Sequence, residues 1–381
     1  MVKGIFMNNH KDMVIEAKRL RDFYAMKKNA GIVQTEFGFY SLDRWKKEGH
    51  INEKTDLDEL FGLEKRGQHS LGGLGWCEAE FVPKFDVKLI EDRGEYEVEQ
   101  DTAGRHVLYF KNRRSGFMPE YIDHPVKDMK SWEEKCKWRM DPFDTGRYVN
   151  FDEKIKEAVK AQSEGKVIVL NAVGGYMYLR SLIGPLEVLY KFYDEPELIV
   201  DCMKTWFNLI DHVASKYQEY VTIDEFYIGE DICYNHGPLI SPEMIREFLF
   251  PFYSQVIENV KKRNIDRDRH LYFQLDTDGY SDAVIDLYKE IGLEYLSPFE
   301  VASGCDVVRT GKEYPDLLIR GGFDKRILAT TKEEIKAEVE RILPVMKERG
   351  GYIPCCDHGV PEEVSFENYM YFRELLQQYK D

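Results

Sequence analysis

Short apolar runs, each ending in polar residues and followed by a helical pattern, recur through the second half of the chain. The runs predict strands over residues 167–171, 226–229, 270–275, 294–300, 317–324 and 350–354. Apolar residues at helical spacing predict helices over residues 241–262, 281–291, 331–348 and 365–379. This regular β/α repeat over residues 165–381 is typical of a parallel sheet whose strands are joined by crossover helices.

The first half of the chain is less regular. Helical spacing predicts a helix over residues 1–30, and 32–40 has the pattern of a first strand, so N-terminal helices and one strand fill 1–75. Between residues 77 and 112, apolar and polar positions alternate in three runs with glycines at the turns. That alternation predicts an antiparallel β-meander inserted into the fold.

Together these patterns predict one α/β domain over residues 1–381, a (β/α)8 TIM barrel with an N-terminal helical extension and the inserted meander. The alternative is a doubly wound parallel sheet. No G-x-G-x-x-G motif follows a strand, so a dinucleotide site is not expected. In a barrel, the active site lies at the C-terminal ends of the strands.

Charge and composition narrow the class of protein. The net charge of −16 argues against a nucleic-acid partner, because a phosphate backbone binds a basic surface. No apolar stretch is long enough to span a bilayer and no signal peptide precedes the first residues, so a cytoplasmic protein with no membrane partner is expected. The 7 cysteines show no disulfide framework, and in a reducing compartment a thiol cluster more often binds metal or takes part in catalysis.

The strand ends carry many polar side chains that a barrel would gather at one mouth. In chain order they are Glu36, Asn171, Glu230, Asp231, Asp276, Asp278, Glu300, Asp324, Cys355, Cys356, Asp357 and His358. So many acids in one crevice repel one another unless a cation lies among them. Thiolate, carboxylate and imidazole are the ligands that zinc prefers, so the strand ends predict a metal site.

Each candidate also has a structural interpretation. Asp276 would cap the helix that follows it, and Glu300 would form an ion pair with Arg320 or Arg309. The vicinal cysteines 355 and 356 would be packed thiols, and Arg180 would pair at the surface instead of holding a substrate carboxylate. The pattern alone leaves these alternatives open.

Several motifs resemble the uroporphyrinogen decarboxylase (URO-D) superfamily, and more narrowly its bacterial branch of methyltransferase type. The motifs are Glu230-Asp231, Asp276-x-Asp278-Gly279, Pro298-Phe299-Glu300, Gly321-Gly322-x-Asp324 and the segment from Gly350 to Tyr369. The resemblance covers nearly the whole chain and implies a (β/α)8 barrel. It also implies an enzyme.

The sequence departs from two patterns of that superfamily. Porphyrinogen decarboxylases carry an R-Q-A-G-R-Y motif near the N-terminus, whereas residues 35–40 here contain no arginine. The methyltransferases bind zinc through His-x-Cys at one strand end and Cys at the last. Those positions fall on Asp276-x-Asp278 and on Cys356. The resemblance therefore implies a Lewis-acid zinc that acts on an oxygen-bearing substrate.

The resemblance assigns roles to named residues. Asp278 and Cys356, completed by Glu300 or His358, would hold Zn2+. Glu36, Glu230 and Asp276 would position substrate or move protons. The substrate would be bound by Phe39, Asn171, Tyr176, Phe299 and Arg320.

The leading hypothesis is a zinc-dependent methyltransferase that moves a methyl group from a small methoxylated, and in one version aromatic, donor to a corrinoid (cobalamin) carried by a partner protein. This reaction is an O-demethylation. The alternatives are a metal-independent decarboxylase of a small carboxylic acid and a non-catalytic barrel that binds a ligand. A homodimer is one expected assembly, but the sequence fixes neither the oligomeric state nor the donor.

Overall fold

A computed structural model describes residues 13–64, 67–72, 74–112 and 119–380. The strands within these ranges are β1 (Gln68–Ser70), β2 (Lys88–Arg93), β3 (Tyr96–Gln100), β4 (His106–Phe110), β5 (Glu120–Asp123), β6 (Val167–Val173), β7 (Glu225–Gly229), β8 (Cys233–Tyr234), β9 (Gly237–Pro238), β10 (Tyr272–Asp276), β11 (Leu293–Ser297), β12 (Leu318–Arg320) and β13 (Tyr352–Ile353).

The same ranges also contain the α-helices. They are α1 (Ile15–Tyr24), α2 (Leu42–Lys47), α3 (Leu57–Phe61), α4 (Met129–Ser131), α5 (Phe151–Ser163), α6 (Gly175–Ile183), α7 (Glu187–Asp194), α8 (Pro196–Tyr217), α9 (Pro242–Met244), α10 (Phe250–Arg263), α11 (Ile285–Lys289), α12 (Val307–Glu313), α13 (Lys332–Arg349) and α14 (Phe366–Gln377). None of the described helices has the length and apolar character needed to cross a membrane.

The main sheet is parallel and curls into a barrel. Within the described ranges it has seven strands in the order β1-β6-β7-β10-β11-β12-β13, which confirms the predicted TIM-barrel class. The predicted meander is confirmed as an antiparallel sheet, β2-β3-β4-β5. Its fourth strand lies beyond residue 112, where the sequence pattern ended.

Residues 32–40 close the barrel, but they do not form the regular strand that was predicted. Their contact with the chain after β13 is a single parallel bridge from Phe39 to Val360. Tyr40 N donates to Val360 O and Val360 N donates to Gly38 O, both at 2.8 Å. The prediction of a regular strand over residues 32–40 is therefore wrong, since the segment forms one bridge instead of a ladder.

A short strand in the region predicted as loop and helix was missed. Gln68–Ser70 pairs in parallel with β6, and Gln68 lies opposite Val167. Three polar residues offer no apolar run to detect, so only the neighbouring strand reveals this element.

Alternating side chains separate the inside of the barrel from the helix layer. The inner set includes Val167 and Val169 of β6, Tyr227 of β7 and Tyr295 of β11. Because strand side chains alternate, Ile168 and its equivalents pack outward against the helices. The position of each polar residue along its strand therefore decides whether its side chain points into the barrel or toward the helices.

Helix α1 closes the N-terminal end of the barrel. Its Leu20, Phe23 and Tyr24 are buried in the same cluster as the inner strand residues. Arg21 donates to the carbonyls of Gly165 (2.7 Å) and Lys166 (3.1 Å), just before β6. The opposite end, where the strands finish, is the mouth.

Candidate functional site

Two strand ends meet at the mouth through a histidine–carboxylate contact. Asp278 follows β10 and His358 follows β13, and His358 Nε2 lies 3.0 Å from Asp278 Oδ1. The Asp278 side chain is 45% exposed and that of His358 is 20% exposed, so solvent or a ligand reaches both. The sequence predicted that these residues share a site, and the structure brings them together.

Lys325 and Asp357 extend this contact behind the imidazole. Lys325 Nζ lies 3.0 Å from His358 Nδ1 and 3.4 Å from Asp357 Oδ1. Asp357 is almost fully buried and accepts a 2.9 Å hydrogen bond from Val301 N. The result is a chain of four titratable groups that runs from the core to the open mouth.

The charges of this chain are coupled. Burial alone lowers the pKa of His358, but the carboxylates of Asp278 and Asp357 outweigh it and raise that pKa to about 10. Burial raises the pKa of Asp357, but His358 and Lys325 reverse the shift and leave it lowered. An ammonium only donates, so Lys325 can donate to Nδ1 only when that nitrogen carries no proton.

A second ion pair lies next to Asp278 at the mouth. Arg180 of α6 donates to the carboxylate of Asp231, a residue that adopts a left-handed conformation (φ 44°). Burial raises the pKa of Asp231, whereas Arg180 opposes that rise. The charge of Asp278 also raises it, while the Asp278 backbone N donates to the Asp231 carboxylate, so the two acidic residues are neighbours at the mouth.

Glu230, predicted to be catalytic, faces away from the mouth. It is fully buried, and the phenol hydroxyls of Tyr253 and Tyr288 donate to it at 2.7 and 3.1 Å. Burial raises its pKa to about 8, so it is protonated at neutral pH. This placement corrects the prediction: the acid at this strand end that reaches the mouth is Asp231.

Asp276 and Arg320 lie inside the barrel, one layer below the rim. Burial raises the pKa of Asp276 to about 6, and the hydroxyl of Ser297 donates to its carboxylate and opposes that rise. Arg320 lies near Asp276 and forms a hydrogen bond with the Cys355 side chain. These two predicted site residues therefore share the floor of the mouth.

Asn171 and Tyr176 were predicted to bind substrate. Asn171 lies in register with Tyr227 on the inner face of β6, and its Oδ1 is buried without a hydrogen-bond partner among the described residues. Tyr176 is 1% exposed, and burial raises its pKa to about 12. Asn171 is thus available to a ligand inside the barrel, whereas Tyr176 is part of the buried core.

Cys356, the predicted soft metal ligand, packs into the helix-facing core. It is fully buried in the same cluster as Tyr369, and its backbone N donates to Glu36 Oε1 at 2.9 Å. Burial raises the pKa of its thiol well above the ordinary value. Register turns the other cysteine, Cys355, toward the barrel interior and Arg320.

Glu36 and Glu300 are held by protein groups. Glu36 also accepts from Tyr369 at 3.1 Å, and burial raises its pKa. Glu300 accepts from Gly279 N at 2.9 Å and from the hydroxyl of Ser303 at 3.0 Å. Glu36 thus connects residues 32–40 to the chain after β13, and Glu300 stabilises the turn that contains Asp278.

The donor set does not fit zinc in the arrangement seen here. Within the described part of the chain, no three His, Cys, Asp or Glu side chains are placed to hold one metal ion. Of the predicted ligands, Asp278 and His358 are in contact, whereas Cys356 faces the core. A tetrahedral zinc site needs three or four such donors around one point.

The aromatic wall predicted from the sequence also needs correction. Phe39 packs edge-on against Trp45 and Tyr369, and Phe299 is fully buried. Both belong to the core and do not line an open mouth. Two exposed aromatic residues lie near the site residues. Trp76 stacks on Tyr227 with ring centroids 5.8 Å apart, and the Phe37 ring centroid lies 5.6 Å from that of His358.

Sequence reasoning missed the roles of Trp76, Asp231, Lys325 and Asp357 at the mouth. Asp231 and Asp357 stood at predicted strand ends, so their position was available as a signal. Lys325 directly follows Asp324 of the recognised motif, so its position was available as a signal as well. Trp76 lies outside the regular repeats, and no pattern pointed to it.

The fold and its polar mouth define a (β/α)8 barrel enzyme scaffold. A sequence model described as uroporphyrinogen decarboxylase (URO-D) matches residues 121–379, more than half of the chain. The protein therefore belongs to the uroporphyrinogen decarboxylase family. This family includes enzymes, in agreement with the expectation from the motifs.

One curated relative and one solved structure are similar to this chain. A curated uroporphyrinogen decarboxylase from Hydrogenobaculum sp. (strain Y04AAS1) is 25% identical over 220 residues, which cover 57% of this chain and 61% of the relative. The chain thus spans about three fifths of that relative's length. A solved structure named methyltransferase from Methanosarcina mazei matches with a TM-score of 0.59 at 16% identity, covering 96% of this chain and 99% of that one. At that identity, the likeness shows the fold.

Proposed function

We propose that this protein is a methyltransferase that takes a methyl group from a small methoxylated donor and passes it to the cobalt of a separate corrinoid protein. The observation that carries the proposal is the contact between His358 and Asp278, which places a proton donor at an open barrel mouth. The name of the Methanosarcina structure, a methyltransferase, agrees with this class of reaction.

The reaction requires an acid beside the donor oxygen. When the bond from the methyl carbon to oxygen breaks, the electron pair stays on the oxygen, which then needs a proton or a cation. The proton on His358 Nε2 lies toward Asp278 Oδ1, and the Asp278 side chain is 45% exposed, so the pair delivers the proton to the oxygen through the Asp278 carboxyl group. Lys325 replaces the proton from behind, because it lies 3.0 Å from Nδ1.

A corrinoid in its reduced state supplies the nucleophile for the methyl carbon when its protein is bound. The residues of this chain then have to hold the donor with its oxygen toward Asp278. Arg180 and Asp231 form the wall of the mouth next to Asp278 and limit the direction of approach.

Zinc binding stays a prediction. Of the predicted ligands, Asp278 and His358 lie in contact, but two donors are too few for a zinc site, and no step above depends on zinc. Metal analysis of the purified protein tests this directly.

Decarboxylation of a small acid is a second candidate. The Asp276 carboxyl lies in the barrel interior near Arg320, where an acid that gives up its proton near pH 6 can protonate a carbanion. The curated relative carries the name of a decarboxylase, which agrees with this alternative.

The two candidates separate in one experiment. The purified protein is incubated with cob(I)alamin and a panel of methoxyarenes, and methylcobalamin is followed by its absorption spectrum together with the demethylated product. Methyl transfer is expected from at least one donor. If no donor yields methylcobalamin, while the protein releases carbon dioxide from a carboxylic acid of similar size, decarboxylation replaces methyl transfer.

A further inference from the structure

The floor of the barrel mouth carries a guanidinium with a free donor. Arg320 is the last residue of β12, and its side chain lies against Cys355 and Tyr295 in the interior. Its Nε is buried and has no hydrogen-bond partner among the described residues. A buried donor left unpaired loses the hydrogen bond that water would supply, so this position favours a ligand acceptor.

The positive charge on Arg320 is poorly balanced by its surroundings. Burial raises the pKa of Glu225, on the inner face of β7, to about 8, so this carboxyl keeps its proton at pH 7. Burial holds the phenol of Tyr295 and the thiol of Cys355 in their neutral forms as well. Among the described groups whose charge acts on Arg320, Asp276 is then the carboxylate that can balance the guanidinium. The hydroxyl of Ser297 already donates to that carboxylate.

An aromatic surface adjoins this guanidinium. Tyr227 lies on the inner face of β7, close enough to Arg320 that the guanidinium charge acts on its hydroxyl group. Trp76 stacks on it with an interplanar angle of 6°, and Trp76 is 56% exposed. A flat ring beside these two residues would have its polar substituent near Arg320.

We propose that Arg320 binds the carboxylate of the substrate and that this substrate is a small aromatic acid. This inference deepens the proposed function and rests on it in one respect: the same mouth holds the methyl donor. A guanidinium can donate Nε–H and Nη–H to the two oxygens of one carboxylate, which is the strongest form of this contact. Binding would supply both the missing acceptor and the missing negative charge.

Matched probes test the charge requirement without turnover. 3-Methoxybenzoate and 3-methoxybenzamide differ in charge and little in shape, and calorimetric titration at pH 7.5 without any corrinoid measures the affinity of each. The benzoate is expected to bind at least about tenfold more tightly to the unaltered protein. Arg320→Gln should weaken benzoate binding roughly 10- to 100-fold and leave benzamide binding nearly unchanged, the size of one charged hydrogen bond.

Controls separate this effect from net charge and from misfolding. Arg246→Gln removes an arginine that pairs with Glu290 on the surface and should leave both affinities unchanged. Asp276→Asn removes the competing carboxylate and should strengthen benzoate binding several-fold, which decides the matter even if Arg320→Gln does not fold.

Two results would overturn the inference: equal binding of both probes to the unaltered protein, or a preference for benzoate that survives Arg320→Gln. These titrations need no methyl acceptor. A clear preference for the benzoate without any methyl transfer would therefore support carboxylate binding by Arg320 and contradict only the proposed reaction.

Discussion

His358 and Asp278 join the ends of two strands that are 80 positions apart in the chain, with His358 Nε2 3.0 Å from Asp278 Oδ1. β11 and β12 lie between their strands in the sheet, so the contact spans part of the mouth instead of following one strand pair. A contact of this kind needs the curvature of the barrel. It places an acid where a bound donor would meet it.

Loss of this contact should slow the reaction at the chemical step. His358→Gln removes the source of the proton, and Asp278→Asn removes the carboxyl group that delivers it, so each should lower kcat by roughly 10²- to 10⁴-fold. Methyl transfer rates at saturating donor measure the effect.

The chain offers a matched control on the opposite rim. His270 Nε2 lies 2.8 Å from Glu294 just before β10, at the closed end of the barrel. His270→Gln removes a similar pair and should leave the rate unchanged. Equal losses in the His270 and His358 variants would show that the mouth pair has no special role.

Zinc content should separate Cys356 from the residues at the mouth. Cys356 faces the core and is fully buried, so Cys356→Ala should leave any bound zinc in place. His358→Gln and Asp278→Asn should lower it, because these side chains meet at the mouth. Plasma mass spectrometry of the purified variants gives the stoichiometry; a loss in Cys356→Ala equal to that in His358→Gln would mean that the last strand end rearranges to bind metal.

Glu230 should make the protein less stable as pH rises. Burial raises its pKa in the folded state from 4.5 to about 8. Between those values the folded state keeps a proton that the unfolded chain has released, so this contribution is complete below about pH 4.5 and is lost as pH rises through about 8. Each pKa unit is worth about 1.4 kcal/mol, which makes the full effect several kcal/mol.

Glu230→Gln keeps the shape of the protonated acid and removes its titration. Urea unfolding between pH 5 and 8 should therefore show a shallower fall in the free energy of unfolding for this variant. Glu290→Gln, at an exposed ion pair with Arg246, serves as the control and should leave the slope unchanged. Parallel curves for all three proteins would contradict the assigned protonation of Glu230.

Gly174 should tolerate no side chain. A Cβ at this position would lie 1.9 Å from Glu230 Oε2 and 2.6 Å from the Glu230 Cα, and the backbone atom cannot move aside as a side chain can. Gly174→Ala should cost at least about 1–3 kcal/mol of stability, the range for overpacked cores. Gly38→Ala is the control, since its nearest neighbour would be 4.0 Å away; thermal denaturation that ranks the two variants equally would be the contrary result.

Long apolar strands were predictable because they are buried on both faces. Val167–Val173 has seven residues with hardly a polar one, and its pattern alone identifies it. Gln68–Ser70 has no apolar residue, and its pairing with β6 depends on the rest of the sheet. The long buried strands could thus be predicted from their apolar composition, whereas a short strand at the edge of the sheet forms only in its tertiary context.

At two strand ends of the candidate site, the sequence analysis chose a residue whose neighbour in the chain is the one that points toward the barrel mouth or interior. Glu230 was chosen where Asp231 reaches the mouth, and Cys356 was chosen where Cys355 points inward. Successive side chains on a strand face opposite sides, so a shift of one position exchanges core and cavity. The sequence located the strand ends, but the register that decides facing comes from hydrogen bonds between distant segments.

The bridge from Phe39 to Val360, together with the hydrogen bond from Cys356 N to Glu36, has a consequence during synthesis. Segments about 320 residues apart must meet before the ring of strands is complete. A ribosome makes about 5–20 residues per second, so the early segment waits tens of seconds for its neighbour. Until then the nascent ring stays open along one seam, and its unpaired backbone there is the surface that a chaperone would cover.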